Sequence, residues 1–124
     1  MQVALGTLRQ AEALAENERF EEAAALYRGV ATAPDAQREA IAAAAVGLYR
    51  VGAWSDAVDA FRRLNVFAKG EEDLRYYFAV ALFEIGQYDA AKKELACALP
   101  FIDETEEVSR TRAKIETMAA VAMR

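Results

Sequence analysis

The sequence predicts an all-α protein of three stacked antiparallel helical hairpins plus a C-terminal capping helix. Three observations predict it. The chain of 124 residues is 55% hydrophobic, much of that alanine, and holds only two prolines and six glycines. Alanine is the best intrinsic helix former, and glycine and proline are the worst. The chain also repeats itself: "ERFEEAAALY" at 18–27, "GAWSDAVDAF" at 52–61 and "GQYDAAKKEL" at 86–95 align at a spacing of 34 residues without a gap. Self-similarity at a fixed period of this length marks stacked supersecondary units. Finally, an amphipathic stretch follows Pro100 and falls outside the three copies. The length suits one domain, residues 1–124, with repeats over about 4–37, 38–71 and 72–103.

Helices are expected over about 4–16, 20–32, 36–50, 54–66, 71–85 and 88–99, with a last one over about 104–122. In each first helix a small residue (Ala11, Ala45, Ala79) lets two helices approach closely, and a leucine (Leu14, Leu48, Leu82) follows on the same side. Gly52 and Gly86 suit tight turns, where a positive φ costs glycine little. The first copy has Glu18 at that slot, so its turn is less well specified. An aromatic (Phe20, Trp54, Tyr88) opens each second helix. A small residue (Ala23, Ala57, Ala91) and then a bulky one (Tyr27, Phe61, Leu95) complete its packing face. Within "DETE", Asp103 and Glu106 form a candidate capping box for the last helix. Its apolar stripe is read as Val108, Ile115, Met118 and Ala122, and the helix departs from the repeat's slots. Two roles fit it, a solubilising cap on an open end or a dimerisation helix. The segment 67–73, "FAKGEED", is the most mobile candidate, since it joins a glycine to a charge run.

The period, the hairpin order and these slots resemble the tetratricopeptide repeat family. The second-helix half fits that family's pattern in all three copies. In the first-helix half, the family's tryptophan slot holds Thr7, Ile41 and Arg75, and its leucine slot holds Gln10, Ala44 and Phe78. Alanine replaces glycine, leucine replaces tyrosine, and Pro34 lies one place from the closing-proline slot. The resemblance covers residues 4–103. It implies a right-handed superhelix in which the first helix of each hairpin lines a concave, ligand-binding surface.

On that expectation the lining includes Leu8 and Glu12 of the first repeat, and Val46, Tyr49 and Arg50 of the second. Asp73, Tyr76, Tyr77, Val80 and Phe83 line it in the third. The surface would be apolar and aromatic towards the third repeat, with mainly acidic charges. A fitting partner is a protein or peptide segment with apolar anchors and some basic residues. The competing reading of the aromatics is that they pack between hairpins. Co-chaperones of the family grip a C-terminal carboxylate with basic and amide side chains. The matching positions here are Leu8, Glu12, Ala43, Asp73 and Tyr77, which speaks against that activity. Small three-repeat secretion chaperones are similar in size, acidity and apolar groove, but no motif singles them out.

Charge and chemistry narrow the function further. A net charge of −5 disfavours nucleic acid and anionic membrane as partners. No apolar run approaches the roughly 18 residues that a membrane span needs. The start, "MQVALGTLRQAEALAE", lacks the basic and apolar regions of a signal peptide. A cytoplasmic protein, or a domain of a longer one, is expected. The chain has no histidine and a single cysteine, Cys97, so a zinc site and a histidine base are both ruled out. Cys97 reads as a small buried apolar residue. Ser55 and Ser109 have no histidine to activate them. The carboxylate pairs Glu21/Glu22, Glu71/Glu72 and Glu106/Glu107 diverge by about 100° along a helix and do not converge on one atom. No metal or cofactor and no enzyme activity is expected. The expectation is a non-catalytic protein-interaction module, with a self-assembling homodimer as the alternative.

Overall fold

In a computed structural model, which describes residues 2–122, all the regular structure is helical. The elements are α1 (Gln2–Glu16), α2 (Phe20–Thr32), α3 (Arg38–Arg50), α4 (Trp54–Arg63), α5 (Glu72–Glu84), α6 (Tyr88–Ala98) and α7 (Glu106–Ala122), with a 3-10 turn at Leu99–Phe101. α1 pairs with α2, α3 with α4, and α5 with α6, as the three sequence copies require.

The three hairpin turns share one geometry. Glu18, Gly52 and Gly86 all take positive φ, at 61°, 78° and 86°. The next residue's N–H reaches back to the same slot each time. Arg19 donates to the Leu14 carbonyl, Ala53 to Leu48 and Gln87 to Leu82, all at 2.9 Å. This is the helix-ending motif in which a left-handed residue lets the chain satisfy carbonyls of the last turn. The first turn is therefore as well defined as the others, although a glutamate carries it.

The chain divides into two compact units, one ending at Asn65 and the other beginning at Val66. In the first unit, α2 packs on α3 as well as on α1, α1 touches α3, and α2 touches α4. The small slots are sealed: Ala11, Ala23, Ala45 and Ala57 have no exposed surface. The Tyr27 ring of α2 lies over Gly47 of α3, where a Cβ built on the glycine would collide with it. Two arginines tie helix ends together. Arg63 donates to the Ala31 carbonyl (2.6 Å) and Arg38 to the Leu64 carbonyl (2.7 Å), each meeting acceptors that a helix C-terminus leaves open.

In the second unit, α6 packs on both α5 and α7. Ala79, Ala91, Leu95 and Ile115 are sealed or nearly so. The sequence places the start of α7 two residues too early. Thr105, not Asp103, caps it: the Thr105 hydroxyl accepts from the Val108 N–H at 3.2 Å. The stripe also needs correcting. Val108, Ile115 and Ala119 are buried and Met118 is half-buried, but Ala122 is exposed. α4 stops at Arg63, three residues short of expectation, because Asn65 turns left-handed (φ 68°) just after it. Asparagine tolerates that conformation better than most residues.

α7 keeps half of the repeat's pattern, contrary to the expectation that it departs from the slots. Val108 and Ile115 stand one and two repeat lengths after Leu74 and Ala40, and after Ala81 and Gly47. Within the first unit, Gly47 at this slot meets Tyr27 of α2, and within the second, α7 packs on α6. The positions that would meet a second helix of its own hold Arg112, Ala113 and Glu116, and all three are exposed. Arg112 there bridges Glu104 (2.9 Å) and Glu116 (3.0 Å). α7 thus covers α6 with one face and presents a polar face outward.

Candidate functional site

In the first unit the expected binding residues lie on α1 and α3, which touch. Leu8, Val46 and Tyr49 are half-buried, and Glu12 and Arg50 are exposed. Along α3, positions 42, 46 and 49–50 follow helical spacing and so share one face. The Tyr49 ring meets Trp54 edge-on, with centroids 5.7 Å apart. One side of Tyr49 therefore closes its own hairpin turn.

Beside α3 lies a residue that the sequence does not single out as a binding group. The Tyr27 side chain comes from α2, and its hydroxyl lies in the combined field of Glu12 and Glu16 on α1 and Arg50 on α3. Burial raises its pKa, Glu12 raises it further, Arg50 opposes and Glu16 adds. The path for the ring is the notch at Gly47. The signal in the sequence was a glycine inside an otherwise alanine-rich helix, where it costs about 1 kcal/mol of helix propensity relative to alanine. At Gly47 the reason is a close approach by an aromatic ring, whereas the helical Gly6 and Gly29 have open space beside them.

In the second unit Asp73 is exposed, and Tyr77, Val80 and Phe83 are half-buried along α5. Tyr76 differs. It is only 7% exposed, and its hydroxyl donates to Thr111 Oγ1 of α7 at 3.1 Å. Burial raises its pKa, the Thr111 bond lowers it, and Glu107 and Tyr77 raise it. Tyr76 is thus part of the core beneath α7, not an open binding residue, because α7 lies over the ring that the sequence leaves uncovered. Tyr77 meets it edge-on at 6.0 Å. Phe83 packs on Tyr88 at 5.5 Å, one repeat length after Tyr49 and Trp54. The first hairpin has Ala15 where Tyr49 and Phe83 stand, and Phe20 is left 46% exposed.

Cys97 is exposed, which overturns its reading as a buried apolar residue. α6 turns Ala91, Leu95 and Ala98 inward, and position 97 falls off that stripe. The segment read as most mobile makes defined contacts. Phe67 packs on Phe78 (5.8 Å), Arg75 lies over the Phe67 ring (5.2 Å), and the Ala68 N–H donates to the Glu71 carboxylate (2.6 Å).

No described helix is long and apolar enough to cross a membrane. Compared with known proteins, the chain matches no family model, no curated protein and no solved structure.

Proposed function

We propose that the chain is a non-catalytic interaction module that receives a partner's polypeptide segment on the α1–α3 face of its first unit. The observation that carries this reading is that α1 and α3 touch and bear the exposed Glu12, Glu16 and Arg50 together with the half-buried Leu8, Val46 and Tyr49, the charges acting electrostatically on Tyr27. Two carboxylates and one guanidinium on these touching helices give an excess of negative charge. The flanking side chains offer partly covered apolar surface. A segment with apolar anchors and a basic residue fits that chemistry. The resemblance to tetratricopeptide repeats supports the same reading, since first helices line the binding surface in that family. On α5 of the second unit, Asp73, Tyr77, Val80 and Phe83 are proposed to form a contact surface of like chemistry in their own right.

The test is a photoreactive amino acid placed at Val46, with a control at Glu116 on the outer face of α7. Partners crosslinked in source-cell lysate would be compared with and without Arg50→Glu and Glu12→Lys. Both charge-reversed residues are exposed, so helicity should be retained. The reading expects a discrete adduct from position 46 that Glu12→Lys weakens and Arg50→Glu preserves or strengthens. Equal crosslinking from positions 46 and 116 would count against it.

A further inference from the structure

The first unit carries a second surface, separate from the α1–α3 face and independent of the reading above. Two open hollows share Ala25 and Leu26: one of about 570 Å3 lies between α1 and α2, and one of about 400 Å3 lies between them and the α2–α3 connection, reaching Gln37 and Ala40. Thr7, Gln10 and Ala13 line the α1 side, and Gly29 extends the α2 side. Ala13 and Gly29 are exposed, and a Cβ built on Gly29 would meet nothing within 4 Å.

The repeat itself identifies what fits there. One repeat length after Gly6, Thr7, Gln10 and Ala13 come Ala40, Ile41, Ala44 and Gly47 of α3. All four are buried there. α2 packs on α3, and Tyr27 fills the notch at Gly47. In the second unit the same slots of α7 include Val108 and Ile115, both buried where α6 packs. α3 and α7 each receive a helix on this face, whereas on α1 Gly6, Gln10 and Ala13 are exposed and Thr7 is half-buried.

We propose that the open α1–α2 face docks an amphipathic α-helix of another protein, seated on α1 as α2 is seated on α3. The slots also define the guest. Gly47 has no side chain and takes a tyrosine; Ile115 is large, and the facing slot on α6 holds Leu95. Ala13 carries one methyl, so its guest residue is an aliphatic side chain of leucine size. A guest running in the sense of α2 brings its C-terminal turn beside Thr7 and Asp35, which line the same hollow. A lysine or arginine in that turn would answer Asp35 and the helix dipole together. At the other hollow the charged residue is Glu22, already bridged to Arg19 at 2.7 Å, so the apolar contact decides there.

The probe is a fluorescent peptide of residues 87–99 with Cys97→Ser, held helical by a staple on its outer face. It carries Leu95 as the knob, and Leu99→Lys supplies a cation in its last turn, which Lys92 and Lys93, lying before the knob, do not. Anisotropy titration into the full chain should show saturable binding. Ala13→Arg and Gly29→Arg, both at sites with room for the new side chain, should each weaken it at least about tenfold. Circular dichroism should show both variants folded. A Leu95→Ala peptide should bind as poorly as the wild-type peptide binds the variants. Absence of binding, or binding indifferent to both arginines, would overturn the proposal. So would a concentration-dependent doubling of mass by light scattering that Ala13→Arg abolishes, since the occupant would then be a second copy of this chain.

Discussion

The α2–α3 contact of the first unit and the α6–α7 contact of the second are built on the same two slots with opposite shares of volume. In the first, Tyr27 is the large member and Gly47 has no side chain at all. Two repeat lengths on, Leu95 is the smaller knob and Ile115 the large receiver, and both are almost fully buried. The repeat therefore specifies a filled space between neighbouring helices, not a residue type at either position. Interiors pack near crystal density, so such a pair has to vary jointly.

The largest effect should come from emptying the slot that depends on its receiver. Ile115→Ala removes a fully buried aliphatic side chain, and about 2–5 kcal/mol of stability should go with it. Urea denaturation followed by circular dichroism measures this. A loss well below 1 kcal/mol would mean that α7 is held by its polar contacts instead.

Overfilling the other slot should cost less. Gly47→Ala gains about 1 kcal/mol of helix propensity, yet its methyl group would collide with the Tyr27 ring. A net loss of about 1–3 kcal/mol is expected. Tyr27→Leu by itself leaves a void over the glycine and also destabilises. The two together approach the division of volume in the second unit, so the double variant should be more stable than the sum of the single losses allows. Trp54, the single tryptophan, lies in the first unit and reports its unfolding by fluorescence. Strict additivity in that cycle would break the comparison.

The same two contacts show what the sequence made legible. The hairpins and the sealed alanines follow from the period, because each copy repeats the same small and large slots. What escaped was specified between copies or by single polar groups. The notch for Tyr27 needs a glycine in a different helix, twenty residues on. The burial of Tyr76 depends on Thr111, in a helix whose sequence keeps only one of the repeat's two faces. The cap at Thr105 stands two places after an aspartate that fits the capping-box pattern equally well. Asn65 ends α4 early through one left-handed residue inside a run that is otherwise compatible with helix. On the proposed binding face, Glu12 and Arg50 could be placed from the repeat alone, but the Tyr27 phenol on which their charges act could not.

The turns give the smallest and most direct comparison. Glu18, Gly52 and Gly86 hold the same left-handed conformation and make the same return hydrogen bond, but Glu18 alone has a Cβ there. A left-handed conformation costs an L-residue roughly 1–2 kcal/mol more than glycine, through contact of Cβ with the following carbonyl. Glycine gives back part of that difference, because its unfolded chain has more freedom to lose. Glu18→Gly should therefore stabilise the first unit by about 1 kcal/mol, and Gly52→Ala should destabilise it by a similar amount. Glu18 is exposed, so loss of its carboxylate should add little to the first figure. Trp54 fluorescence in urea measures both variants. A neutral Glu18→Gly would mean that the glutamate is held in its turn by a contact that offsets the backbone cost, and the three turns would then be alike in shape but not in what stabilises them.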